Sequence, residues 1–234
     1  MRFYRMSKSA MEKFKKIYKA YKVEGAKFDL NFDIPICPCT AKKIPINLIY
    51  YNDIVKSKQN YYGFVHFYMD DYKFENVWTN PKLSLQKLKR CDGVITPDFS
   101  TYQEMPAALK IYNTYRMRAF GYWLGKQGLQ VINNVRWGTP ETYKYSFCGI
   151  PQNSIVSVST VGCIKDKYDE NRFTEGLAAM VETLKPSHIL VYSFESYRKF
   201  FNKYIEKGLN VTFYNPPDTH KIITKTKNEI DLGD

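Results

Sequence analysis

The sequence predicts an α/β fold built on a mainly parallel sheet of about six strands alternating with helices, and three observations carry that expectation. From residue 63 onward, short runs rich in β-branched and aromatic residues alternate with longer helical patterns, and the connections between them are short. The composition, 44% hydrophobic and 25% charged over 234 residues, is that of a globular chain able to bury a core. An open sheet and a partial or complete barrel resembling the eight-stranded α/β barrel both fit this pattern.

The elements follow in order. Ser7 reads as the N-cap of a helix reaching residue 23, with Met11, Phe14, Tyr18 and Tyr21 on one face and lysines on the other, so residues 1–27 form a basic amphipathic unit. Pro35, Pro38 and Pro45 make 28–62 an irregular segment that wraps the domain. The α/β domain proper, 63–215, opens with a strand at 63–69, and Asn80-Pro81 starts a short helix to residue 88. A strand at 93–96 precedes a long helix from Pro106 to Lys126, closed by Gly128, and a strand at 129–135 follows. Next come a strand at 154–160, a helix at 171–184, a strand at 188–192, a helix at 196–207 ended by Gly208, and a strand at 210–214. Residues 216–234 read as a polar tail.

The charge is concentrated. Residues 1–27 hold nine basic residues against Glu12 and Glu24, an excess of seven out of the net +12. This is the footprint of an arm that binds a polyanion, with Arg2, Arg5, Lys8, Lys13, Lys15, Lys16, Lys19 and Lys22 as its nucleic-acid contacts. No run approaches the roughly 18–20 consecutive apolar residues of a membrane span, and the first 27 residues lack the apolar centre of a signal peptide, so the expectation is a cytoplasmic protein with no membrane partner. The odd set Cys37, Cys39, Cys91, Cys148 and Cys163 lacks the spacing of a disulfide framework or a zinc site; it predicts reduced thiols and no metal centre, and names no cofactor.

Ligands of parallel α/β folds bind where the carboxyl ends of the strands converge. That rule selects Asp70, Asp71 and Asp98 as candidate acid-base or metal-binding carboxylates. It selects Ser100, Tyr102, Asn133, Arg136, Trp137, Ser159, Thr160 and Tyr192 as candidate ligand contacts, joined by Arg116 on the long helix. Carboxylates, an arginine, hydroxyls and rings suit a base or sugar with a phosphate. The helix opening after Pro97-Asp98-Phe99-Ser100 lacks the glycines of a Walker loop or a Rossmann fingerprint, and Ser157 and Ser159 lack a nucleophile elbow. His66, His188 and His220 are placed by no motif as a base, and read as structural.

The run 91–100 (CDGVITPDFS), then Met105-Pro106, Tyr115-Arg116, Val131-Ile132, Trp137, Gly149-Ile150-Pro151 and the block 157–162 (SVSTVG), resembles an uncharacterised family, a domain of unknown function. Phages, prophages and conjugative elements of low-GC bacteria carry its members. The resemblance covers about 64–194 and implies mobile-element biology: replication, maintenance or evasion of host defence, with a host replication or defence protein as a candidate partner. Two departures stand out: Ser193-Phe194-Glu195 replaces a glycine that relatives carry after the strand at 188–192, and the basic first helix is particular to this chain.

Three readings follow: a protein that binds nucleic acid or a nucleotide-like ligand, a hydrolase or glycosylase acting on such a ligand, and an interaction protein that blocks a host factor.

Overall fold

The computed structural model describes residues 7–216. Its centre is a sheet of seven strands: β1 (Leu48–Tyr50), β2 (Phe64–His66), β3 (Gly93–Ile95), β4 (Gln130–Asn134), β5 (Ile155–Ser159), β6 (His188–Tyr192) and β7 (Asn210–Tyr214). Every neighbouring pair is parallel and the spatial order equals the chain order. The sheet curls into a half-barrel. In a flat sheet β1 and β6 would lie roughly 24 Å apart, at about 4.8 Å per strand, yet the hydroxyls of Tyr50 and Tyr192 bond to each other. The Tyr214 hydroxyl likewise donates to the Pro45 carbonyl at 2.6 Å, linking the last strand to the approach of the first.

The concave face is filled, with Leu48, Phe64, Ile95, Ile132, Leu190 and Tyr192 forming one buried cluster. On the convex face α5 (Ala107–Lys126) covers Val65, Val94 and Val131, and α7 (Lys167–Leu184) covers Val156, Ile189 and Val191. The wrapping segment has a structural task. Its Thr40 exchanges hydrogen bonds with Val131 and its Cys37 carbonyl accepts from Asn133, which fills the sheet where β4 and β5 have not yet begun to pair. Gly149 allows that passage: its φ is +72°, and a Cβ there would stand 2.5 Å from the Pro35 carbonyl oxygen.

Several elements differ from the sequence expectation. The strand β1 and helix α2 (Tyr51–Lys56) lie within the segment read as irregular. The first helix is split: α1 (Lys8–Ile17) has the expected Ser7 cap, donated to by Ala10 N–H at 3.2 Å, but Lys19 adopts a left-handed conformation and a 3₁₀ turn, Ala20–Val23, follows in a new direction. The helix α7 begins four residues earlier than the pattern suggests, because Asp166 caps it by accepting from Asp169 N–H at 2.9 Å. The expected helix 196–207 is a 3₁₀ stretch, Glu195–Phe201, with a single turn, α8 (Asn202–Ile205). Three short helices, α3 (Asn76–Thr79), α4 (Pro81–Leu88) and α6 (Tyr143–Ser146), complete the set. Among the described residues, no helix is long and apolar enough to cross a membrane.

Candidate ligand site at the ends of strands four and five

A cavity of about 290 Å³ opens at the carboxyl ends of β4 and β5. Its walls come from the loops after three strands: Thr101 to Glu104 after β3, Val135 to Gly138 after β4, and Gly162, Cys163 and Lys165 after β5. Tyr168, Asp169, Arg172 and Phe173 from the first turns of α7 close it. Trp137 forms the apolar wall, resting on Phe173 with ring centroids 5.3 Å apart. Gly176 makes that seat, since a Cβ at this position would lie 2.1 Å from the indole nitrogen.

The charged groups have distinct neighbours. One edge of Arg136 is committed: its Nη1 donates to Asp98 at 3.1 Å and to the Cys163 sulfur at 3.0 Å. Asp98, 8% exposed, also accepts from the Asn134 amide at 2.7 Å. Burial pushes the Asp98 carboxyl above its ordinary value, opposed by Arg136 and the Asn134 bond. Burial opposes the charge of Arg136, but Asp98, together with smaller contributions from Cys163, Tyr102 and Asp71, outweighs it and holds the guanidinium firmly protonated. Burial likewise raises the Cys163 thiol, so the sulfur beside Arg136 is a poor nucleophile. Arg172 is held by Asp169 at 2.8 Å and by the Gln103 side chain at 2.9 Å.

Unused hydrogen-bonding capacity remains among the lining residues. Among the described residues, the Nε and Nη2 hydrogens of Arg136 find no acceptor, the buried hydroxyl of Thr101 has no partner, and no carboxylate lies within ion-pair distance of Lys165. Tyr102 and Tyr168 stand at the rim, 57% and 60% exposed. An anion at the floor and a planar group at the rim match this distribution of donors and rings.

Of the residues nominated from the sequence, the cavity gathers Tyr102, Arg136, Trp137 and Ser159. The others sit elsewhere. Asp70 is exposed and paired with Lys73 at 2.7 Å, whose hydrogen bond lowers its carboxyl. Asp71 accepts from the Ser100 hydroxyl at 2.8 Å and the Ser100 N–H at 3.0 Å, bracing two loops. Arg116 stacks 3.8 Å above the Phe99 ring and bonds Glu75 and Asn113. Asn133 faces the wrapping segment, Thr160 donates to Ser193 at 2.8 Å, and Tyr192 lies in the filled interior. In the basic arm, Lys8, Lys13 and Lys16 are exposed on α1, Lys15 pairs with Glu12 at 3.6 Å, and Arg2 and Arg5 lie outside the described residues, as does His220. Lys19 donates to the carbonyls of Trp78 and Thr79. Lys22 is a correction to the reading of a solvated face: it is fully buried, 4.6 Å from the Trp78 ring and bonded to the Trp78 carbonyl and the Tyr21 hydroxyl. The left-handed turn at Lys19 rotates it inward.

The sequence reading missed Thr101, Gln103, Lys165, Tyr168 and Arg172. Tyr168 and Arg172 were legible in principle, because a helix capped by Asp166 puts residues 168 and 172 on one face of its first turns.

A family model described as "Domain of unknown function (DUF4417)" matches residues 26–210. The chain is 37% identical over 130 residues to the "Gene 1 protein" of Mycobacterium phage L5, covering 56% of this chain and 57% of that protein. It is 36% identical over 130 residues to the "Gene 1 protein" of Mycobacterium phage D29, covering 56% and 48%. The match thus spans about half the length of these curated relatives. No solved structure matches.

Proposed function

The chain belongs to the DUF4417 family, whose relatives named above are phage proteins, and from that premise we propose that it binds a phosphate-bearing, nucleotide-like ligand in the cavity at the ends of β4 and β5, in service of phage or mobile-element replication, maintenance or defence evasion. One observation carries this reading: a single cavity is lined by Arg136, with one edge uncommitted, by Thr101, whose hydroxyl is unpartnered, and by the exposed rings of Tyr102 and Tyr168. The Asp98 ion pair orients the guanidinium, Lys165 adds an exposed charge, and Tyr102 and Tyr168 offer faces for a base. A ligand carboxylate would satisfy the arginine equally well; the rings favour a nucleotide.

The test is calorimetric titration of the full chain with nucleoside monophosphates, the matching nucleosides and inorganic phosphate. The monophosphates should bind more tightly than either component, and Lys165→Gln should lose about 1.5–3 kcal/mol of binding, the worth of a charge-assisted hydrogen bond. Binding of monophosphates no tighter than free phosphate would overturn the reading. Chromatography of the same mixtures after incubation addresses hydrolysis, for which the candidate carboxylates are Asp98, bonded to the lining Arg136, and the lining Glu104 and Asp169.

A further inference from the structure

The densest positive charge lies away from the strand ends, along a groove of about 1110 Å³ between the N-terminal helices and the start of α4. Lys13, Lys16 and Lys19 stand on one wall with Tyr21, and Thr79, Asn80, Pro81 and Lys82 form the other. With Lys15, five lysines face two glutamates, Glu12 and Glu24, and Glu12 is already paired with Lys15. Lys13, Lys16 and Lys82 are exposed, with no carboxylate in ion-pair distance among the described residues.

The arrangement suits a line of charge and not a single anion. Lys13 and Lys16 are separated by roughly 4.5 Å along the helix axis, at 1.5 Å per residue, and Lys82 answers them from the opposite wall. Lysines act as hydrated point charges, which follow a phosphate backbone without reading bases, whereas the cavity at β4 and β5 uses arginines that fix a planar group. Lys19 holds the two walls together through the carbonyls of Trp78 and Thr79, at 2.8 and 3.1 Å. Tyr21, 36% exposed, gives the groove a ring face on which an unpaired base can stack. We infer that this groove binds single-stranded nucleic acid by its phosphates, at a site separate from the nucleotide cavity.

Fluorescence anisotropy with the full chain and a labelled 12-residue oligothymidylate, measured across a potassium chloride series, tests the inference. The logarithm of affinity should fall linearly with the logarithm of salt. The exposed-lysine variant Lys13→Gln/Lys16→Gln/Lys82→Gln should flatten the slope by about 2, at about 0.7 for each single-strand phosphate that is no longer neutralised. A control with three other exposed lysines removed, Lys126→Gln/Lys203→Gln/Lys207→Gln, should keep the wild-type slope. Circular dichroism melting confirms that both variants stay folded. Mononucleotide titration of the groove variant should match wild type, which separates failure here from failure of the cavity reading. No oligonucleotide binding at low salt, equal flattening by the control, or tighter binding to phosphatidylglycerol vesicles than to the oligonucleotide would overturn the inference.

Discussion

The two sides of the half-barrel mouth occupy equivalent places in the fold and are built in opposite ways. At the ends of β4 and β5 the side chains are Arg136, Trp137 and Ser159, and a cavity remains between them. Across the mouth, at the ends of β1, β2 and β6, rings close the space: His66 lies 4.4 Å from Tyr50 and 4.5 Å from Tyr192, and Tyr68 stacks on Tyr192 at 5.3 Å. Tyr68 and Ser157 share a 2.6 Å hydrogen bond that ties this plug to β5. The lesson is that position at a strand end nominates a residue, while packing decides whether it meets a ligand. Packed rings seal one side, with the tyrosine hydroxyls bonded to one another and to Ser157. A buried ion pair with hydrogen bonds to spare keeps the other polar and accessible.

If that contrast is right, the two sides should respond differently to substitution. The largest effect is expected at Arg136→Met, which strands the buried Asp98 charge and should cost about 3–5 kcal/mol of stability in urea denaturation at pH 7. Adding Asp98→Asn to it should recover most of the loss, because the uncompensated charge is then gone.

Next in size is a contrast between a paired and an unpaired buried cation. Lys22 has no carboxylate partner among the described residues, and burial lowers its ammonium to about 7, with Lys19 adding to the shift. The unfolded chain, with an ordinary lysine near 10.5, therefore binds more protons than the native state between pH 7 and 10, and stability should rise with pH in that window. We expect a gain of about 2 kcal/mol from pH 7 to pH 9, at 1.36 kcal/mol per unit and reduced because about half of the native ammonium is still protonated at pH 7. Lys22→Met should lack that gain when both proteins are unfolded in urea at the two pH values.

The smallest effect is expected on the sealed side. Tyr68→Phe leaves the Ser157 hydroxyl buried without its partner and should cost about 1–2 kcal/mol in the same assay. Nucleotide affinity should not change; a loss of affinity there would mean that the ring cluster takes part in binding.

Much of the fold was legible, and the exceptions have physical causes. Pro106 and Gly128 bracket α5 as helix-start and helix-stop signals should, and the runs giving β5 and β6 are long enough to read. The strand β1 was not, because its three residues, Leu48 and Ile49 buried and Tyr50 partly so, are too few to show a periodicity. Arg136 and Trp137 were found by their place after a strand. Asp71 and Asp98 were nominated by the same rule, but their bonds to Ser100 and Asn134 span 29 and 36 residues of chain, and only the topology brings those groups together. Lys22 shows the limit of helical spacing: one left-handed residue at Lys19 turns an apparently solvated lysine into the core.

The central claim, that the open side binds a nucleotide, is tested most directly by fluorine NMR of the chain labelled with 5-fluorotryptophan. The three tryptophans report on separate places: Trp137 lines the cavity, Trp78 lies beneath the lysine groove, and Trp123, on α5 itself, packs into the core beside Phe120. With signals assigned by single Trp→Phe variants, a nucleoside monophosphate should shift the Trp137 resonance in a saturable way and leave Trp78 and Trp123 in place. A Trp137 signal unmoved by every monophosphate at millimolar concentration would contradict the account.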